Sequence, residues 1–131
     1  MEEKRIDIRW RDLDGLGHVN QAVYQTYAEE VIDDWFRSQL GLGAGEIWDY
    51  VAARVAIDYR GELRLTDGQV IGTASLVRLG TSSVTLGLEL RAPDGRLAAE
   101  LECVLVTWDP EKRSSRPLSE RERQRLEPAL R

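Results

Sequence analysis

Hydrophobic residues recur along the chain with two different spacings, and each spacing predicts a different kind of secondary structure. Between residues 20 and 40 they recur every three or four positions, which predicts an α-helix with one apolar face. Asn20 suits the N-cap of this helix, and Gly41 suits the position just after its end. The apolar positions are Tyr24, Tyr27, Ala28, Val31, Ile32, Trp35 and Phe36. Such a face must be buried against another layer of structure.

Elsewhere hydrophobic and polar residues alternate, which is typical of half-buried strands. One strand is predicted before the helix, at 5–11, with Ile6, Ile8 and Trp10 on one face. The strands predicted after the helix are at 53–60, 69–79, 83–91 and 96–108. Turn-forming residues separate them, so consecutive strands are expected to pair antiparallel. The pattern therefore predicts an α+β fold with one long helix and a five-stranded antiparallel sheet.

One helix cannot cover a five-stranded sheet, so part of the sheet is expected to meet a second subunit. We therefore expect at least a homodimer whose sheets pair through the strand at 83–91. After the last strand, residues 110–131 form a basic tail, in which Ser119 and Glu122 have the spacing of a capping box that opens a short helix. This tail could hold small anions, or it could be an ordinary solvated helix.

Composition narrows the class of protein. The chain has 131 residues, of which 31% are charged and 42% hydrophobic, so residues 1–131 are expected to form a single soluble domain. No apolar run approaches the roughly 20 residues that span a membrane, and the charged N-terminus does not resemble a signal peptide. A net charge of −5 argues against nucleic acid as the main partner. The single cysteine is typical of a cytoplasmic protein, and one cysteine with one histidine makes a zinc site unfavourable.

The segment WRDLDGLGHVN, residues 10–20, concentrates polar groups immediately before the helix. Together with the start of the helix it resembles the hotdog-fold acyl-CoA thioesterases of the 4-hydroxybenzoyl-CoA thioesterase-like family. The residues that carry the resemblance are Asp12, Asp14, Gly17, His18, Val19, Asn20, Tyr24, Tyr27, Glu29 and Glu30. The likeness extends over roughly residues 4–108. Two departures are Leu13, where threonine or cysteine is frequent, and the altered segment at 58–70, which lacks a proline near Glu62.

This resemblance implies a sheet wrapped around the long helix, and subunits that pair their sheets side by side as a dimer or a dimer of dimers. It implies active sites at the subunit interface, with Asp14 as the catalytic carboxylate. The implied substrate is a thioester of coenzyme A or of acyl-carrier protein. No cofactor is expected, since coenzyme A belongs to the substrate.

Thioester hydrolysis needs a nucleophile or general base and a site for the developing oxyanion. Asp14 can supply the first, and the free N–H groups at the helix start, near Gln21–Tyr24, can supply the second. His18 could contact the thioester, position Asp14, or simply anchor the loop. Asn20 is expected to cap the helix and to contact substrate only secondarily, while Asp12 is expected to bond loop N–H groups.

The remaining candidates concern substrate binding. The residues expected at the substrate are Gly17, Asn20, Gln21, Tyr24, Tyr27 and Tyr59, with an apolar acyl pocket near Ile57–Tyr59. Arg113 and Arg116 are candidates for the phosphates of coenzyme A. Cys103 alternates with Leu101 and Leu105 and is expected to be a buried core thiol.

Two other functions fit the same residues. Enoyl-CoA hydratases and dehydratases of this fold also use an aspartate and a histidine a few residues apart, as Asp14 and His18 are. A non-catalytic acyl-CoA-binding protein would bind the same ligand without releasing thiol.

Overall fold

The computed structural model describes residues 2–131 and confirms the α+β architecture expected from the sequence. Its strands and helices, in chain order, are β1 (Lys4–Asp7), α1 (Gln21–Leu40), β2 (Tyr50–Tyr59), β3 (Gln69–Leu79), β4 (Ser83–Arg91), β5 (Leu97–Asp109), β6 (Ser114–Ser115) and α2 (Glu120–Leu126). The strands form one antiparallel sheet in the order β1-β3-β4-β5-β2, and the two-residue β6 pairs with β5. The face of the sheet that packs on α1 is called the inner face below.

Helix α1 begins and ends where its sequence predicts. The Asn20 side chain accepts a hydrogen bond from the N–H of Ala22 at 3.0 Å, and Gly41 adopts a left-handed conformation with φ of 66°. The helix packs against β1, β3 and β4. Its approach to β3 is close, because a Cβ added to Gly72 would lie 2.2 Å from Cγ2 of Val31. A glycine at this position therefore sets the distance between helix and sheet.

The first strand is shorter than its alternating pattern predicts. Strand β1 ends at Asp7, and residues Trp10–Asp12 form a turn of 3₁₀ helix. The turn is held by the Asp12 carboxylate, which accepts the backbone N–H of Arg9 at 2.9 Å. Trp10 is consequently 79% exposed, so the prediction that it shares a buried face with Ile6 and Ile8 is wrong. In the sequence, apolar and polar residues alternate as far as Arg11, although the hydrogen-bonded pairing of β1 ends at Asp7.

The edges of the sheet also differ from expectation. Strand β4 lies at the centre, paired with β3 on one side and β5 on the other, so it cannot pair with a second subunit. The prediction of an interface through residues 83–91 is therefore wrong. The edges are β1 and β2, and β2 is the longer of the two. It starts at Tyr50, three residues earlier than predicted, and carries a bulge between Ala52 and Arg54.

The C-terminal tail folds back onto the body through a partly buried ion pair. Ser119 caps α2, and Glu122 completes the predicted capping box. The Glu122 carboxylate also accepts two hydrogen bonds from Arg116, at 2.8 and 2.7 Å, and one from the indole of Trp48. Burial alone would raise the pKa of Glu122, but these donors outweigh it and lower the pKa to about 2.

Candidate active site

Residues 12–20, called the active-site loop below, form a small hairpin ahead of α1. The N–H of Asp14 donates to the carbonyl of His18 at 2.9 Å, and the N–H of Gly17 donates to the carbonyl of Asp14 at 3.2 Å. Gly17 has a φ of 85°, which a residue with a side chain adopts only with strain. The hairpin thereby brings two side chains that are four residues apart onto neighbouring positions.

These two side chains are Asp14 and His18. Oδ2 of Asp14 lies 3.7 Å from Nδ1 of His18, and Oδ1 accepts the N–H of Leu16 at 2.8 Å. The separation of 3.7 Å exceeds the length of a direct hydrogen bond. A small movement of either side chain would let the two groups form one. The Asp14 side chain is 28% exposed and that of His18 is 33% exposed. The carboxylate is thus held through Oδ1, and its side chain remains partly exposed.

The start of α1 lies beside this pair because one hydrogen bond closes the loop at its two ends and a second docks the loop on the segment after β2. The N–H of Asn20 donates to the carbonyl of Asp12 at 2.8 Å, and the N–H of Val19 donates to the carbonyl of Leu63 at 2.7 Å. Among residues 2–131 the backbone N–H of Gln21 has no acceptor. The N-terminal dipole of α1 and this free donor favour a negative charge at that position.

A cavity of about 610 Å³ opens between the active-site loop, the first turn of α1 and the end of β2. Its lining consists of Asp14, Leu16, His18, Val19, Asn20, Gln21, Tyr24, Tyr59, Arg60, Gly61 and Glu62. Six predicted site residues are therefore brought together, whereas Gly17 shapes the loop without lining the cavity. The sequence reasoning missed Arg60, Gly61 and Glu62. They fall in the segment at 58–70 through which the sequence resembles the family, and their place in that segment is the signal that could have identified them.

Two tyrosines form the aromatic wall of this cavity. The rings of Tyr24 and Tyr59 meet edge to face, with centroids 5.2 Å apart. The Tyr24 hydroxyl donates to the carbonyl of Gly61 at 3.1 Å, and the Tyr59 hydroxyl donates to the carbonyl of Gln21 at 3.1 Å. Burial raises the pKa of Tyr24 above its usual value, so its hydroxyl stays protonated at neutral pH. Both phenols are therefore committed to backbone acceptors that shape the wall.

Tyr27 lies outside the cavity and faces Asp12. Its side chain is 1% exposed, and its hydroxyl donates to Oδ2 of Asp12 at 2.7 Å. The same carboxylate accepts the backbone N–H of Arg9 and its guanidinium, the latter at 3.1 Å. Burial would raise the pKa of Asp12, but these hydrogen bonds outweigh burial and hold the pKa below its usual value. Tyr27 and Asp12 thus fix the base of the active-site loop on α1.

Arg113 and Arg116 lie at the opposite end of β5 from the cavity. Tyr59, at the cavity, pairs with Ala99, whereas Tyr50 at the other end of β2 pairs with Thr107. The ten residues of β2 extend about 30 Å. Arg116 is also engaged by Glu122, as described above. Within one subunit these two arginines are therefore not brought to the cavity.

Two further properties concern only residues 2–131. No helix in this part of the chain is long and apolar enough to cross a membrane. Nor does this part contain a group of three or more histidine, cysteine, aspartate or glutamate side chains placed to hold a metal ion. Cys103 is buried as expected, and burial raises the pKa of its thiol to about 11.

Comparison with known proteins gives consistent matches. The profile of the thioesterase-like superfamily matches residues 8–127. A thioesterase from Thermus thermophilus, solved in complex with coenzyme A and Zn, is 32% identical with a TM-score of 0.81, and the match covers 97% of this chain and 92% of that chain. A comparison with curated proteins gave no match.

Two more distant structures support the fold alone. The protein SAV2348 from Staphylococcus aureus, solved in complex with CoA, is 20% identical with a TM-score of 0.84, over 97% of this chain and 82% of that chain. Slr0204, a 1,4-dihydroxy-2-naphthoyl-CoA thioesterase from Synechocystis, is 15% identical with a TM-score of 0.78, over 95% and 93% of the two chains.

Proposed function

Because this chain belongs to the thioesterase-like superfamily and is a thioester hydrolase, we propose that it hydrolyses small or medium acyl-CoA at the cavity beside the active-site loop. The family resemblance inferred from residues 12–30 is confirmed by the superfamily match. The observation that carries the proposal is the placement of Asp14. Its carboxylate lines the cavity together with His18 and Gln21, at the start of α1.

The proposed chemistry uses two groups. The thioester carbonyl oxygen is placed at the free N–H of Gln21, where the helix dipole stabilises the developing oxyanion. Asp14 then acts in one of two ways. As a nucleophile, its oxygen attacks the carbonyl carbon, the thiolate of coenzyme A leaves, and water hydrolyses the resulting anhydride. As a general base, it takes a proton from water, the hydroxide attacks, and the proton finally reaches the departing thiolate.

The leaving group explains why no strong acid is needed. A thiol has a pKa near 8.5, so its thiolate leaves without full protonation. His18 is proposed to orient the free oxygen of Asp14, since its Nδ1 lies 3.7 Å away. Tyr24 and Tyr59 are proposed to contact the acyl group rather than to donate protons, because each hydroxyl already has a backbone acceptor.

Thiol release measures this activity directly. The test compares wild type with Asp14→Asn over a panel of acyl-CoA substrates. Loss of a nucleophile or general base predicts a fall in kcat of about 10² to 10⁴, with little change in KM. Asp94→Asn is the matched control, because Asp94 also accepts the N–H of the residue two positions on, at 2.9 Å to Arg96, but does not line the cavity.

Several outcomes would count against the proposal. A folded Asp14→Asn protein within a few-fold of the wild-type rate would exclude Asp14 as the catalytic group. Loss of the enoyl absorbance of crotonyl-CoA without thiol release would indicate a hydratase instead. Binding of acyl-CoA in calorimetry with no turnover of any kind would indicate a non-catalytic binding protein.

The proposed assembly is a homodimer, or a dimer of dimers, in which two β2 edges pair antiparallel. Strand β2 leaves backbone groups unpaired along one side, which is the usual surface for adding a strand. An antiparallel pairing centred on Ala56 would place Arg54 of each copy opposite Asp58 of the other, so the edge is complementary to itself. It would also bring the end of β5 that carries Arg113 and Arg116 toward the neighbouring cavity. These arginines could then meet the phosphates of coenzyme A there, beside Arg60 of the same cavity.

Light scattering tests this assembly. Reversing one charge, in Arg54→Asp, should shift the protein toward monomer, because like charges would then face each other across the interface. The double variant Arg54→Asp with Asp58→Arg should restore the dimer. A wild-type protein that stays monomeric at micromolar concentration contradicts the dimer. If wild type, the single variant and the double variant all form the same dimer, the β2 interface is contradicted.

A further inference from the structure

The active-site loop is paired along one side with residues 63–67, called the docking segment below. The backbone of His18 pairs antiparallel with that of Arg64, and the N–H of Val19 donates to the carbonyl of Leu63 at 2.7 Å. The backbone that carries the His18 side chain is therefore placed by its contact with the docking segment.

The docking segment is itself held by the carboxylate of Asp67. Oδ2 of Asp67 accepts the N–H of Arg64 at 2.8 Å, and the N–H of Asp67 donates to the carbonyl of Arg64 at 2.9 Å. These two hydrogen bonds close Leu65–Asp67 into a turn of 3₁₀ helix. A change at Asp67 therefore reaches Arg64, the residue that pairs with His18.

Arg96 supplies the second partner of that carboxylate. It lies in the turn between β4 and β5, and its Nη2 donates to Oδ1 of Asp67 at 3.0 Å. In the described part of the chain its buried Nε has no acceptor, since Oδ1 of Asp94 is 3.8 Å away. The guanidinium thus relies on Asp67, and loss of either partner leaves a poorly solvated charge on the other.

This pair gives the active-site loop a second anchor. Asp12 and Tyr27 fix the base of the loop on α1, through the hydrogen bond described above. A hairpin fixed only at its base is free to pivot about that base. The docking segment prevents such a pivot, because it holds the returning half of the hairpin at His18 and Val19.

We propose that Asp67 and Arg96 are positioning residues that hold His18 beside Asp14; the inference rests on the proposed function. Oδ2 of Asp14 lies 3.7 Å from Nδ1 of His18, roughly 0.5 Å beyond hydrogen-bond length. A displacement of that size in the docking segment is enough to make or prevent the contact. Neither Asp67 nor Arg96 lines the cavity, so each acts through His18 and not on the substrate.

The test exploits the fact that His18 is the only histidine of the chain. In protein without a histidine tag, its imidazole gives one set of proton NMR resonances. Arg96→Met and Asp67→Asn each remove the ion pair, so these resonances should shift or broaden at constant pH. In thiol release kcat should fall about tenfold and KM should stay within about twofold, because a misplaced group slows the reaction without weakening binding. The double variant should lose no more than either single variant, since both act through one contact.

Glu122→Gln is the matched control. Like Asp67, Glu122 accepts the backbone N–H three positions earlier and a guanidinium. The exposed fractions also match, at 14% and 31% for this acid and its arginine against 13% and 35% for Asp67 and Arg96. Its arginine bonds the end of β5 that is remote from the cavity. The control should lower Tm as Asp67→Asn does, but keep the wild-type His18 resonances and kcat.

Arg96→Lys keeps the charge, so it serves if Arg96→Met does not fold and should retain more of both wild-type signals. If Asp67→Asn melts at a lower temperature but keeps the wild-type His18 resonances and kcat, the pair is purely structural and the proposal is overturned. Equal changes of both signals in Glu122→Gln would overturn it as well, since general destabilisation would then account for them. If wild type releases no thiol from any acyl-CoA, the proposed function fails, while the His18 resonances still show whether the pair positions the ring.

Discussion

Replacing Tyr27 by phenylalanine tests whether the contact with Asp12 fixes the active-site loop. The variant keeps the ring, which is buried on α1, and removes only the hydroxyl that donates to Oδ2 of Asp12 at 2.7 Å. The Asp12 carboxylate is 3% exposed, so water cannot easily replace the lost donor. Hydrogen bonds to charged groups contribute about 1.5–3 kcal/mol, and we expect the free energy of unfolding to fall by that amount.

Tyr24→Phe provides the matched control on the same helix. Its hydroxyl donates to a neutral carbonyl, that of Gly61, at 3.1 Å. A neutral hydrogen bond contributes about 0.5–1.5 kcal/mol, so the control should lose roughly half as much stability. In a chain of this length 1 kcal/mol corresponds to roughly 3–5 °C in Tm. Thermal melts at one protein concentration should therefore separate the two variants by several degrees.

The pH dependence distinguishes the two contacts further. The pKa of Asp12 lies below its usual value in the folded protein, so its contribution to stability is full above about pH 4 and is lost as pH falls through the lowered pKa. The difference between wild type and Tyr27→Phe should shrink over that acid range, whereas that of Tyr24→Phe should stay constant. Equal losses for both variants, together with an altered acyl preference in Tyr27→Phe, would refute this reasoning and return Tyr27 to the cavity wall.

Two other substitutions test how the fold is held together. Glu122→Gln removes the charge that binds Arg116, so it should reduce stability by about 1–3 kcal/mol above pH 4.5, and melts should show the difference vanishing toward pH 2, the pKa region of the native carboxyl. Gly72→Ala should destabilise by about 1–3 kcal/mol in urea unfolding, because its Cβ would overlap Val31, whereas Gly87→Ala, whose nearest atoms lie 3.5 Å away, should be close to neutral. A stable Gly72→Ala protein would mean that α1 can move off β3.

Much of this protein could be predicted from local sequence, because local forces decide those features. The limits of α1 follow from its apolar periodicity, the Asn20 cap and the left-handed Gly41, all of which act within a few residues. Strands β3 and β4 have the predicted bounds, since tight turns fix their ends. The proximity of Asp14 and His18 is also local, since both belong to one hairpin loop.

Tertiary structure decided the features that depend on distant partners. The order of the strands places β2 at the edge and β4 at the centre, and no alternation pattern within a strand encodes its neighbours. Tyr24 and Tyr27 belong to the same apolar face of α1, yet one lines the cavity and the other meets a buried carboxylate 15 residues away. Periodicity identifies the side chains that leave solvent. Only the packing of loop, helix and sheet determines which atoms they meet, because those contacts join residues that the sequence keeps apart.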